Sequence, residues 1–207
     1  MKQENLVLES HGANHVKEVL QRANEINNYL YQTLGICGDK NILDYAARYH
    51  DIAAFLDRKN HHLVGASIFA KEYTGRLPMY IIKKITDSIK EHRASYKGDY
   101  SSLESQIIST ADRDPISADS INDLYKRSYV YAREHGHTHE DAVDHAYHHI
   151  KEKYGRGGYA FNPNNKVFFI YYKEDLEKFW NAIDLVYPEF VYKLLFDMRD
   201  TKIEVKK

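Results

Sequence analysis

A chain of 207 residues with 43% hydrophobic and 29% charged positions is long enough to bury one substantial core. Its 29 lysines and arginines against 30 aspartates and glutamates leave a net charge of −1, which removes the basic footprint of a dedicated nucleic-acid binder and favours a small-molecule ligand. No apolar run is long enough to cross a bilayer, MKQENLVLES lacks the layout of a secretory leader, and the solitary Cys37 has no intramolecular disulfide partner, so the expectation is a single compact cytoplasmic domain.

In chain order, Val16, Val19, Leu20, Ala23, Ile26 and Leu30 recur at three- and four-residue spacing and predict an amphipathic helix over 15–34, ended by Gly35 and Gly38. A second helix is predicted over 41–50, with Leu43, Ala46 and Ala47 inward, and a third over 60–73, before Gly75. Pro78 suits a first helical turn, after which Ile82, Ile85, Ile89 and His92 share one face, so His92 is expected to point inward. Ser101 and Glu104 read as a capping box for a helix that carries Leu103, Ile107, Ile108 and Ala111 and delivers Asp112 to the core side.

Beyond Pro115, helices are predicted over 120–133 and 138–154, the latter opened by Thr138-x-x-Asp141 and closed by Gly155. GRGGYAFNPNN reads as a loop. VFFIYY is too short to classify by period and fits either a strand or a buried helical turn, and 176–198 returns to helix with a break near Pro188. The fold class is all-α. The division expected is a core over 1–115 and a helical region over 116–207 packed on it.

Imidazoles and carboxylates are costly to bury unless they are hydrogen-bonded or coordinate an ion. His15, His50, Asp51 and Asp112 fall at the ends of apolar helical faces, with His61 and His92 at intermediate positions, so a shared divalent cation is the simplest partner. The His50-Asp51 dipeptide alone is weak, since twelve histidines and sixteen aspartates give about one such pair by chance. Its context is stronger, because Ile42, Leu43, Ala46 and Ala47 precede it and IAAFL follows.

Lys59, Arg58 and Arg113, with Arg93 ranked behind Lys59 and Arg113, are candidate handles for phosphate. His11 is a rival of His15 and better suited to an outer role; His62 is expected at the surface. The tract His135, His137, His139, His145, His148 and His149 resembles a metal-binding tract on composition alone, but six histidines around a helix start are expected to be solvated. Most of the eighteen tyrosines are expected to fill core, with one or two left to stack a nucleobase.

SHGANHVKEV, ARYHDIA, HHLVGA, IKEH and SLESQIISTADRD, spread over residues 10–115, resemble the HD-domain metal-dependent phosphohydrolase superfamily, in particular small bacterial hydrolases with a Ser-Leu-Glu helix before Ala-Asp-Arg. The resemblance implies an HD-domain-like helical bundle with extra C-terminal helices. It implies that His15, His50, Asp51 and Asp112 bind the principal metal, and that His61 and His92 stand where two-metal members carry further ligands; beside the catalytic Asp51, the alternative on chemical grounds is that either acts as a general acid or orients the substrate. Such relatives usually continue with Leu-Asp where this chain has Asp114-Pro115, which leaves Asp114 without an assigned role.

Mixed nitrogen and oxygen donors suit Mn²⁺, Fe²⁺, Ni²⁺, Co²⁺ or Zn²⁺ better than Ca²⁺, and the reading leans to one ion rather than two. The expected activity is hydrolysis of a phosphorylated small molecule, a nucleotide in the specific form, by metal-activated water. The alternatives are a phosphodiesterase variant or a non-catalytic metal- or nucleotide-binding sensor of the same fold. No membrane or nucleic-acid partner is expected, and homo-oligomerisation is left open.

Overall fold

The computed structural model describes residues 13–113 and 115–201; His11 and Asp114 lie outside the described residues. The described elements are helical: α1 (Ala13–Leu34), α2 (Lys40–Tyr49), α3 (His61–Tyr73), α4 (Met79–Glu91), α5 (Leu103–Ala111), α6 (Ile121–Glu134), α7 (His139–Tyr154), α8 (Lys166–Tyr171), α9 (Lys173–Leu185) and α10 (Pro188–Leu195). Among the described residues no helix is long and apolar enough to cross a membrane. The chain forms two compact units. The first runs to Arg113 and takes in Asn162–Tyr171; the second holds the stretch up to Phe161 and the helices from Tyr172 onward.

In the first unit the predicted stripes become the core: Val19, Ala23, Ile26 and Leu30 of α1, Ile42, Leu43, Ala46 and Ala47 of α2, Ile82, Ile85 and Ile89 of α4, and Ile107, Ile108 and Ala111 of α5 are all buried in one cluster. α1 packs on α2 and α5, and α4 packs on α2, α3 and α5. Burying such side chains contributes roughly 1.5–3 kcal/mol each, which is why a periodicity of three and four residues sets the bundle.

Helix starts are fixed by side-chain caps. Asp39 accepts from Asn41 N–H at 2.8 Å and from Ile42 N–H at the start of α2. At α5 the cap is Ser102, which accepts from Ser105 N–H, and not the Ser101–Glu104 pair expected from spacing. Glu104 instead joins neighbouring elements, because its buried carboxylate accepts from Asp39 N–H at 3.1 Å and meets Lys84 at 3.4 Å. Burial alone would raise its pKa; those partners hold it below the ordinary carboxylate value.

The segment that period could not classify is helix α8, and its cap explains why. Asn165, fully buried, accepts from Phe168 N–H at 3.1 Å and donates to Thr110 Oγ1 and Gln106 O of α5, while Gln106 Oε1 receives Val167 N–H. Asn162 donates to the carbonyls of Tyr96 and Gly98. Asparagines of the FNPNN loop thus tie residues 162–171 to the first unit.

In the second unit α6 and α7 form a hairpin whose turn uses Gly136 at φ +87, a left-handed conformation that favours glycine. Thr138 caps α7 by accepting from Asp141 N–H, and Gly155 follows its last residue. Tyr125, Tyr129 and Tyr154 fill this core together with Phe179, Ile183 and Val191. The break near Pro188 is real: α9 ends at Leu185 and Pro188 opens α10.

One close approach bears on the site described next. A Cβ on Gly65 of α3 would sit 3.0 Å from the Tyr49 carbonyl, at the last residue of α2. Gly65→Ala is therefore expected to destabilise by about 1–2 kcal/mol, the overpacking cost outweighing the gain in helix propensity. A lowered midpoint in thermal or urea unfolding checks this; an unchanged or raised midpoint contradicts it.

Candidate metal centre

Six side chains are delivered by helix ends. His15 lies in the first turn of α1, His50 and Asp51 directly follow α2, His61 opens α3, His92 directly follows α4, and Asp112 directly follows α5. Four of the six follow the C-termini of α2, α4 and α5, while His15 and His61 come from the N-terminal turns of α1 and α3. His50, Asp51, His61 and His92 are buried, and His15 and Asp112 are half-buried.

Their donor atoms converge in two sets. In the first, His15 Nε2 lies 3.2 Å from His50 Nε2 and 3.0 Å from Asp112 Oδ1, and His50 Nε2 lies 3.2 Å from the same oxygen. Asp51 Oδ2 completes it at 3.5 Å from His50 and 3.8 Å from His15. In the second, Asp51 Oδ1 lies 3.1 Å from His61 Nε2 and 3.5 Å from His92 Nε2, which are 3.2 Å from each other. Within each set all donor atoms lie within 4.8 Å. Asp51 belongs to both sets, one oxygen to each.

Hydrogen bonding fixes which ring nitrogens are available. His50 Nδ1 is 2.8 Å from Ala47 O, His61 Nδ1 is 2.7 Å from Arg58 O, and His92 Nδ1 is 2.6 Å from Ile89 O. A carbonyl only accepts, so Nδ1 carries the proton in each ring and Nε2 of the neutral ring offers a bare lone pair to the cluster. Lone pairs and carboxylate oxygens so close together repel unless a positive charge lies among them. Such a donor set fits a divalent transition ion, with main-chain carbonyls orienting the imidazoles from behind.

The protonation energetics express the same demand. Burial disfavours the His50 imidazolium, yet the Asp112 and Asp51 carboxylates outweigh it and hold its pKa up at about 9. His61 is likewise raised against its burial, by Asp51. Asp112 stays well below the carboxylate range in spite of burial, because His50 and His15 face it.

Basic residues lie to one side. Arg58, Lys59 and Arg93 line, with Ala54 and His61, a cavity of about 420 Å³. Arg93 also donates to Lys59 O at 2.9 Å, which ties the 58–61 segment to the end of α4. Arg113 goes elsewhere, in contrast to the role expected for it. It is 4% exposed, its Nη2 donates to Ser109 Oγ at 3.2 Å, and its guanidinium lies 5.7 Å from the Phe168 ring centroid. One residue is about 100° of helix rotation, so Arg113 and Asp112 at the end of α5 leave in different directions.

Arg93, directly after His92, shares that cavity with Arg58 and Lys59. His62, expected at the surface, is half-buried with Nδ1 unpartnered, and burial pushes its pKa down to about 4.

The family model for the HD domain matches residues 12–114, the stretch that carries all six converging side chains. No curated relative and no solved structure shows a significant match to the chain. With the family match, the all-helical bundle and the His-Asp donor sets in place, the chain belongs, through residues 12–114, to the HD-domain family.

Proposed function

We propose that this protein hydrolyses a phosphate ester or anhydride of a nucleotide or related phosphorylated metabolite, with the chemistry held in its first unit. HD domains bind divalent metals and are generally metal-dependent hydrolases. The observation that carries the reading is Asp51, whose two oxygens face two separate donor sets. That sharing favours two ions over one, with His15, His50 and Asp112 completing the first site and His61 and His92 the second. When bound, such ions supply Lewis acidity and activate water for attack on phosphorus.

The chain's own residues then divide the work. Ala47, Arg58 and Ile89 carbonyls keep the Nδ1 protons of three imidazoles in place, so Nε2 faces the site without reorganisation. Arg58, Lys59 and Arg93 offer cations beside His61, where phosphoryl oxygens are neutralised.

Arg93→Ala is expected to raise KM about tenfold or more and to lower kcat less, whereas Arg113→Ala lowers stability and leaves KM near its starting value. Steady-state kinetics beside urea unfolding separate the two; a KM effect confined to Arg113 would reverse the assignment.

The test of the whole reading is phosphate release from a panel of nucleoside mono-, di- and triphosphates with Mn²⁺, Ni²⁺ or Co²⁺, compared with Asp51→Ala. Turnover by the wild type alone supports the hydrolase. Ion binding with turnover in neither supports a sensor of the same fold.

A further inference from the structure

The histidine tract of the second unit does not behave as one solvated group. His139 is buried, with Nδ1 2.8 Å from Tyr129 OH, and His148 is exposed beside Asp144. The remaining members gather between α7 and the α6–α7 turn. His145 and His149, one helical turn apart on α7, hold their rings nearly parallel at 10° with centroids 5.3 Å apart. His137 lies 5.7 Å from His145.

The turn that places His137 is well fixed. His137 N–H donates to Ala132 O, Gly136 N–H donates to Arg133 O, and Gly136 takes the left-handed conformation. His135 Nδ1, 2.7 Å from Tyr131 O, repeats the carbonyl anchoring seen in the first unit.

We propose that His137, His145 and His149 form a site for one late transition-metal ion of the zinc, nickel or copper type, separate from the six-residue centre of the first unit. Two imidazoles at i and i+4 on one helix form a natural chelating pair, and a third supplied by a fixed turn gives a three-nitrogen set with a position left for water. His145 Nε2 is buried with no hydrogen-bond partner, an orphaned donor or acceptor that asks for a ligand. The His145 and His149 rings stack rather than converge, so binding an ion here requires the imidazoles to turn about their side-chain torsions.

The experiment is a Ni²⁺ count by equilibrium dialysis and elemental analysis on the full chain. Wild type is expected to hold one equivalent more than His145→Asn/His149→Asn. The double variant should bind that equivalent on the order of 100-fold more weakly or worse, because losing direct donors exceeds the effect of losing an outer partner. Its phosphate release should match that of wild type, and His148→Asn should retain the ion. Equal stoichiometry and affinity in wild type and double variant would overturn the site.

Should the double variant unfold, His137→Asn on the turn gives the same readout. In a His50→Ala/His61→Ala/His92→Ala background, which leaves His15 as the one imidazole of the first centre, the Cu²⁺ paramagnetic resonance spectrum should still show coupling to several imidazole nitrogens, lost on adding His145→Asn/His149→Asn. Absence of that coupling equally overturns the proposal.

Discussion

Asp51→Ala should lower kcat/KM for phosphate release by about 1,000-fold or more, roughly 4 kcal/mol of transition-state stabilisation. The size follows from geometry. Oδ2 serves His15 and His50 while Oδ1 serves His61 and His92, so one truncation removes an anionic donor from both sets. His61→Ala removes a donor from one set only and should retain more bound metal. Measured together, metal content and kcat/KM should fall further in Asp51→Ala than in His61→Ala. Wild-type turnover in Asp51→Ala would refute the hydrolase assignment.

The second large effect is on stability. Buried lone pairs and carboxylates leave the centre dependent on positive charge, so an ion bound only by the folded state stabilises by mass action, about 2.7 kcal/mol at a hundredfold excess over Kd. For a chain of this length that corresponds to roughly 5–10 °C in the unfolding midpoint. Thermal scans with Mn²⁺ or Ni²⁺ and again with excess chelator should differ by that amount, and the difference should vanish in His50→Ala/Asp112→Ala. A midpoint indifferent to metal in the wild type would remove the case for ion binding.

The bundle was legible because burial selects period. Val19 to Leu30 and Ile82 to Ile89 can bury one face only as helices, and the histidines and aspartates that punctuate those faces had to end at the core. Order along the chain therefore named the six side chains that the structure gathers. It could not show that Asp51 turns one oxygen to each set, since that depends on how the ends of α2, α3 and α4 meet. Nor could it place α8: six residues span under two turns and carry no usable period, and the helix exists because Asn165 caps it against α5. The directions taken by Arg113 and Arg93 were illegible for the same kind of reason. Each follows a site residue directly, but only rotation about the helix axis decides that one packs on Phe168 and the other lines the cavity.

The first unit closes only with Asn162–Tyr171, after α6 and α7 have intervened. During synthesis α5 must leave the ribosome and wait, its Gln106 and Thr110 without their bonds to Asn165 and Val167, until the asparagine loop emerges. A protein cut after residue 115 would carry every gathered histidine and aspartate and still lack a wall. Supplying 162–171 in trans, or splicing it directly behind α5 by circular rearrangement, is the route to an independent miniature of this HD-domain fold.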